Sequence, residues 1–424
     1  MSGTDTLDRR TRGRAAFAGS VGNLIEWYDF NTYAYTALYF ASSFFPAGDR
    51  TAQLLNVAAI YAAGFLIRPL GGWYFGRFAD TRGRRAAMVV SVLLMGLGSL
   101  LVAILPGYAT IGAAAPALLL IARLMQGFSS GGQYGAAATY LSEIAQPGRR
   151  GLFGSFQFVT LIGGQLCALL VLWLLQASLG EPAIRAWAWR IPFVIGAGLA
   201  FSLLMFRGMM HETIAFDGDA RDAGTLRRLF EHPRALLTVM ALSAGGGLCL
   251  YTFTTYLQKY LVNTAGLSVR DASGAVIGAT IGFLLLQPLI GTLSDRIGRR
   301  TCLLLFSGGM TLGAVPLLSA LGQAGSVGGA GLLAFAALGI LSFYTSVSGL
   351  FKAELFPAHV RALGVGLAHS VATAIFGGTA EYVALALKQA GHEGWFAWYV
   401  AAVCAVSFVT ALTMREPRRY GHLS

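Results

Sequence analysis

The chain has 424 residues, of which 55% are hydrophobic and only 12% charged. A soluble domain carries roughly 25% charged residues, so most of this surface must face lipid. The net charge of +12 does not mark a nucleic-acid groove, because the arginines lie in short stretches between apolar runs, the positive-inside distribution of a membrane protein.

A spanning helix needs about 20 mostly apolar residues, and the sequence offers twelve such segments. Residues 1–14 are polar and basic, show no cleavable signal and read as a cytoplasmic segment. The first helix, 15–45, holds Glu26, Tyr28 and Asp29. The second, 53–76, holds Arg68 just before Pro69 and runs into a basic turn. The third is 86–107; the fourth, 113–142, holds Arg123 and Gln133 and leads to Glu143. The fifth, 152–178, holds Gln165, and the sixth is 189–209. The longest polar break, 210–233, reads as a cytoplasmic linker between an N-terminal bundle (15–209) and a C-terminal bundle (234–415). The seventh helix, 234–260, holds Tyr251, Tyr256 and Lys259; the eighth and ninth are 270–292 and 301–321. The tenth, 325–352, holds Tyr344, Ser348 and Lys352 and leads to Glu354. The eleventh, 361–388, holds His369 and Glu381, and the twelfth, 394–415, is followed by a cytoplasmic tail, 416–424. Loop charge puts both termini in the cytoplasm.

One basic turn occurs twice. Gly76-Arg-Phe-Ala-Asp80-Thr-Arg-Gly83-Arg84-Arg85 returns as Gly291-Thr-Leu-Ser-Asp295-Arg-Ile-Gly298-Arg299-Arg300, 215 positions later. A second mark, Glu143 to Arg150, returns as Glu354 to Arg361, 211 positions later. A duplicated membrane half is the layout of a secondary carrier whose bundles rock about a central site. An Asp at such a turn can cap a neighbouring helix or pair with Arg. Asp80, Arg84 and Glu143, with their counterparts Asp295, Arg299 and Glu354, are therefore expected to form a cytoplasmic gate, with Arg84–Glu143 and Arg299–Glu354 as its links. GxxxG spacings at Gly72/Gly76, Gly127/Gly131/Gly135 and Gly274/Gly278/Gly282 predict tight helix packing. The four cysteines lie in apolar runs without metal spacing and read as reduced packing residues; no metal or cofactor is expected. There is no phosphate-binding loop, zinc-protease helix or potassium filter, which argues against an ATP-driven pump, a zinc membrane protease and a channel.

The twin turns resemble the signature of the major facilitator superfamily. Gly22-Asn-Leu-Ile-Glu26-Trp-Tyr-Asp29-Phe30, Arg123-Leu-Met-Gln-Gly-Phe-Ser-Ser-Gly-Gly132 and Tyr140-Leu-Ser-Glu143 resemble its metabolite:proton symporter family, whose members carry 2-oxoglutarate, shikimate, citrate, and proline or betaine. Three longer strings, Phe156 to Gln165, Tyr251 to Gly266 and Ser342 to Lys388, are most similar to its α-ketoglutarate (2-oxoglutarate) carriers. The resemblance implies an all-α fold of twelve transmembrane helices in two pseudo-symmetric six-helix bundles. It also implies a bacterial inner-membrane protein, monomeric, in membrane lipid, that binds a dicarboxylate and protons and no nucleic acid. Many members of the family have Glu where this chain has Gln133.

An ionisable residue at the bilayer centre costs at least ~2.5–3.5 kcal/mol and so marks a site. Asp29 and Arg123 fall in the central part of their helices at about 1.5 Å per residue. Asp29 is assigned the coupling proton, tuned by Arg123, with Glu26 as the substitute acid; sugar symporters of the superfamily look similar. Arg68 is assigned a substrate carboxylate, for which its bidentate fork suits better than Lys; the alternative is an ion pair with Glu26. Tyr28, Gln133, Gln165, Tyr251, Tyr256, Tyr344 and Ser348 are candidates to complete the pocket. Lys259 and Lys352, near helix ends, are expected to snorkel, and His369 is read as a packing donor outside the proton path. The expected function is α-ketoglutarate import by proton symport, not an enzymatic reaction. Another organic acid or an osmolyte is the alternative substrate, and a short tail speaks against an osmosensing carrier. A non-transporting receptor on a carrier fold is the alternative of another class.

Overall fold

The computed structural model describes residues 9–45, 50–146, 148–206 and 224–423, and no strand occurs among them. Twelve long helices cross the molecule. They are α1 (Arg9–Phe44), α2 (Arg50–Leu66 continued by Arg68–Arg82), α3 (Arg84–Ile104), α4 (Ala114–Ile144), α5 (Arg150–Ala186) and α6 (Ile191–Phe206). After them come α7 (Pro233–Asn263), α8 (Val269–Ile297), α9 (Arg299–Gly322), α10 (Val327–Leu355), α11 (Ala358–Gln389) and α12 (Trp395–Thr413). Eight of these are long and apolar enough to span a membrane by length and composition alone. Of the other four, α6 is short in its described part, whereas α1, α2 and α4 carry Glu26 and Asp29, Arg68, and Arg123, all buried. Large apolar side chains left exposed, such as Leu312, Leu332 and Trp398, suit a lipid-facing outer surface.

The twin turns have the same geometry. Gly83 (φ 106°) and Gly298 (φ 92°) each join two helices by a single residue at positive φ, where a side chain would be strained. This explains the glycine in each copy of the motif. The basic turns sorted together by charge do gather at one end of the molecule. There Arg84 donates to the Ala358 carbonyl (3.2 Å), Arg361 pairs with Glu143 (2.8 Å), and Arg150 donates to the Leu423 carbonyl (2.9 Å). Of the expected linker only Gly224 onward is described; its amide donates to the His359 carbonyl (2.8 Å), and Thr225 caps a short helix at Leu226–Phe230.

The bundles meet where α2 and α4 pack on α11, and where α5 packs on α8 and α10. The glycine spacings do different work in this frame. A Cβ on Gly127 would lie 2.0 Å from the Gly64 carbonyl oxygen, and one on Gly131 2.0 Å from that of Arg68, both inside the first bundle. On Gly135 it would lie 2.7 Å from Gly366 Cα, and on Gly76 2.7 Å from Leu363 Cα, both in the other bundle. Gly274 and Gly278 meet nothing within 4 Å, so the packing expected of that stripe holds only at Gly282, which faces Phe335. Gly135→Ala should therefore hold the basic end apart, read as a longer distance between spin labels across it. Gly127→Ala should instead lower the melting temperature without lengthening that distance.

The cysteines are free: Cys249 and Cys404 face each other across α7 and α12 with Sγ atoms 3.3 Å apart, and Cys302 is buried. Cys167 is exposed and is not the packing residue expected.

Candidate substrate and coupling site

Three helix irregularities converge near the middle of the interface. Helix α2 breaks at Ile67, because Pro69 opens its second half and has no N–H to give. Helix α7 widens into a π-turn at Thr252–Tyr256 and α11 into another at Thr373–Gly377; such bulges mark functional sites in many proteins. Glycines let them close in: a Cβ on Gly377 would meet the Tyr251 ring at 2.6 Å, and one on Gly378 the Phe65 ring at 2.7 Å.

Arg68 is buried there. Its Nη1 donates to the Tyr251 hydroxyl (3.2 Å), and its guanidinium lies 4.2 Å from the ring centres of both Phe30 and Phe65. Arg123 is buried as well. Its Nη1 donates to Gln126 (3.1 Å), and its guanidinium lies 4.2 Å from the Phe30 ring centre and 4.6 Å from those of Tyr33 and Tyr61. The two guanidiniums share Phe30, so they are at most twice 4.2 Å apart. In both, Nε and Nη2 have no hydrogen-bond partner. Those two nitrogens form the edge that grips a carboxylate through two parallel bonds. Among the described residues no ion pair within 4 Å joins either arginine to a carboxylate, so the Arg68–Glu26 pair anticipated as an alternative is not formed, and Arg123 makes none with Asp29. A buried cation without an anion is strongly unfavourable. Stacking on aromatic faces offsets part of that penalty.

The acids sit beside the arginines. Glu26 lies beside Ser130 of α4 and leaves Oε2 without a hydrogen-bond partner. Asp29 leaves both oxygens without a partner within hydrogen-bond distance; Ser99 and Arg123 are the polar groups near it. It presses on α6, where a Cβ at Gly196 would lie 1.6 Å from its Oδ1.

Of the other pocket candidates, Tyr251 touches Arg68. Tyr28 instead donates to the Pro192 carbonyl (3.0 Å) and Gln165 to Tyr35 (2.7 Å). Both are links between helices of the first bundle. Tyr256 packs on Tyr260 and Phe396, and Tyr344 on Phe306. None of these four hydrogen bonds or stacks on an arginine of the site. The side chain of Gln133 lies outside the described residues. Lys352 does not snorkel: it is fully buried and bonded to Ser348, Tyr134 and His369. A signal was available, since Tyr344, Ser348 and Lys352 recur every fourth residue and so form one polar stripe along the helix. Lys259 pairs with Glu381 (2.5 Å) between α7 and α11.

At the basic end the residues expected to form a gate assemble, and both expected links are present, but other contacts join the bundles. Arg84–Glu143 (3.4 Å) and Arg299–Glu354 (3.6 Å) exist, but each lies within one bundle and cannot hold two bundles together. The crossing is made by the Asp residues. Asp80 binds Arg84 and accepts from the amides of Ala362 (3.1 Å) and Leu363 (2.9 Å), opening the helix of α11. Asp295 accepts from Gly151 (2.8 Å) and Leu152 (3.3 Å), opening α5. The second repeat mark crosses too: Glu143 pairs with Arg361, and Arg150 lies in the field of Glu354. The tail joins this layer, with the His422 amide bound to the Glu354 carbonyl (2.7 Å). Burial, with His232 and Arg361 nearby, holds the His422 imidazole below its ordinary range. In this structure the basic end is closed.

The sequence pattern of the Major Facilitator Superfamily matches residues 21–380. The chain belongs to the major facilitator superfamily. It is 54% identical over 410 residues to the alpha-ketoglutarate permease of Escherichia coli (strain K12), covering 96% of this chain and 95% of the relative. It is 35% identical to the citrate-proton symporter of Salmonella typhi, covering 94% and 93%. Identity to the proline/betaine transporter of Escherichia coli (strain K12) is 32%, covering 95% and 83%. The fold is that of the proton:xylose symporter XylE bound to 6-bromo-6-deoxy-D-glucose, with a TM-score of 0.79 at 18% identity over 96% of each chain. The protein is thus a multi-pass membrane transporter of two pseudo-symmetric six-helix bundles.

Proposed function

We propose that this superfamily member imports α-ketoglutarate with protons by alternating access. The observation that carries the reading is the pair of buried guanidiniums that share the Phe30 ring, each with its carboxylate-gripping edge free. A dicarboxylate supplies the two missing anions. Arg68 takes one carboxylate, with Tyr251 steadying the guanidinium, and Arg123 takes the other. A zwitterion such as betaine would leave one fork unmatched, which favours the function named for the 54% identical relative.

Asp29 carries a coupling proton, with Glu26 as the second acid: a buried carboxylate without donors is satisfied by a proton. Asp80, Arg84 and Glu143, with Asp295, Arg299 and Glu354, form the gate at the basic end. That end faces the cytoplasm of a bacterium, with both termini on that side of the inner membrane, and the bundles 15–209 and 234–415 rock about the central site. The protein works as a monomer in lipid.

The test is uptake of labelled α-ketoglutarate into proteoliposomes under an inward proton gradient. Accumulation that collapses with an uncoupler is expected. Counterflow won by citrate or betaine, with no α-ketoglutarate uptake, would overturn the substrate. Asp29→Asn should abolish accumulation against a gradient while sparing counterflow; loss of coupling in Glu26→Gln alone would reassign the proton.

A further inference from the structure

Between the arginine site and the basic end the protein buries a lysine. Lys352 Nζ on α10 lies 2.9 Å from the Tyr134 hydroxyl of α4, 2.9 Å from Ser348 Oγ, and 3.1 Å from Nδ1 of His369 on α11. The imidazole stacks on the Tyr134 ring, centre to centre 3.7 Å. One residue on, Ser370 Oγ donates to the Gly131 carbonyl of α4 (3.1 Å). The cluster therefore joins α10 and α11 of one bundle to α4 of the other.

Three acceptors surround Nζ, which matches the three hydrogens of an ammonium. Among the described residues no carboxylate pairs with Lys352. The charges near the cluster are Arg68 on α2, whose field reaches His369, and, further toward the gate, Glu143 and Glu354, committed to Arg361 and Arg299. The phenols of Tyr134 and Tyr344 face the ammonium. The lysine–histidine pair thus holds one proton beyond neutrality. A second would have to go onto Nδ1, the nitrogen that accepts from Nζ. It would break that hydrogen bond and leave two cations side by side in a medium of low dielectric, where they repel strongly.

We propose that Lys352 and His369 form a second proton site of the transport cycle, loaded when a substrate carboxylate neutralises Arg68, and that its second proton parts α10 and α11 from Tyr134 and opens the basic end. This rests on the substrate reading above. An unoccupied Arg68 repels a proton from His369; a carboxylate on Arg68 removes that repulsion. By linkage, the proton then tightens substrate binding by the same factor. Once the basic end opens, water reaches the pair, the proton leaves His369 to that side, and the Nζ–Nδ1 bond reforms as the end closes. A dianion carries two charges, and Asp29 and His369 supply a proton site for each.

Two measurements on the purified full-length protein test this. In weakly buffered solution with a pH indicator, wild type should take up protons on binding α-ketoglutarate. His369→Gln should bind it and take up one proton fewer, while Asp29→Asn should still show the His369 proton. Without substrate, spin labels at Arg149→Cys and Arg296→Cys, with Cys167 replaced, should show the basic end opening as pH falls. His369→Gln and Lys352→Met should both remove that pH response. Undiminished proton uptake in His369→Gln, or an unchanged pH response in both variants, would overturn the proposal. Absence of α-ketoglutarate binding in wild type would overturn the substrate reading instead, and the label measurement would still decide the proton site. If Lys352→Met does not fold, His369→Asn takes its place.

Discussion

Arg68→Ala should reduce the apparent affinity for α-ketoglutarate by roughly two to three and a half decades, and Arg68→Lys by about one decade or more. Removing one partner of a buried charge pair costs about 3–5 kcal/mol, and each 1.4 kcal/mol is tenfold. The alanine variant removes both the charge and the fork. The lysine variant keeps the charge, but an ammonium cannot offer the two parallel bonds that the free Nε and Nη2 of Arg68 present. Tyr251→Phe removes only the hydroxyl that receives Nη1 at 3.2 Å, so about 1 kcal/mol is expected there. Arg123→Lys should match Arg68→Lys, because Arg123 has the same free edge over the same ring. Half-saturation constants for counterflow separate these cases, since counterflow needs binding and rocking without a proton gradient. An unchanged constant in Arg68→Lys and Arg123→Lys would mean that the substrate lies elsewhere.

Asp80→Asn should shift the carrier toward the form with its basic end open by two decades or more in population. Asp80 accepts two amides at the start of the helix in α11 and binds Arg84. An asparagine keeps the shape, but its NH2 group faces a donor where the carboxylate offered an acceptor. It also leaves Arg84 with one anion, Glu143. Hydrogen bonds to a charged group contribute about 1.5–3 kcal/mol each, and ~2.7 kcal/mol is already a hundredfold change in a two-state equilibrium. The effect of Asp295→Asn should have the same sign and be smaller. Its carboxylate is more exposed than that of Asp80 (9% against 0%), and one of its amide bonds is long at 3.3 Å. Distance distributions between labels on the two sides of the basic end read this directly, and the maximal uptake rate should fall with it. A distribution in Asp80→Asn that matches wild type would show that the Asp is a local cap rather than a gate.

Much of this architecture follows from local properties of the chain. Runs of apolar residues long enough to cross lipid, arginines concentrated in alternate loops, and a turn repeated half a chain apart are all readable one segment at a time. They determine a duplicated carrier with paired basic turns. The composition of the proposed gate was legible for the same reason: Asp80, Gly83 and Arg84 sit in one turn. Its wiring was not. The repeated Glu and Arg at 143/150 and 354/361 looked like register marks, yet Glu143 pairs with Arg361, which is 218 residues away.

The site shows where local reading ends. A helix without a hydrophobic period does not tell which face turns inward. Glu26, Tyr28 and Asp29 could therefore be placed on one helix but not aimed, and Tyr28 turned out to bind the backbone of α6. Only packing brought Arg68 and Arg123 to the Phe30 ring and left both forks without an anion. Only packing buried Lys352, which sequence position near a helix end assigned to the lipid surface. Sequence by itself determined that this chain is a twelve-helix carrier and which residue types line its gate, because hydropathy and turn chemistry are properties of neighbours along the chain. Tertiary structure decided which charges meet, because the free energy of a buried charge depends on partners that the fold brings from the other bundle.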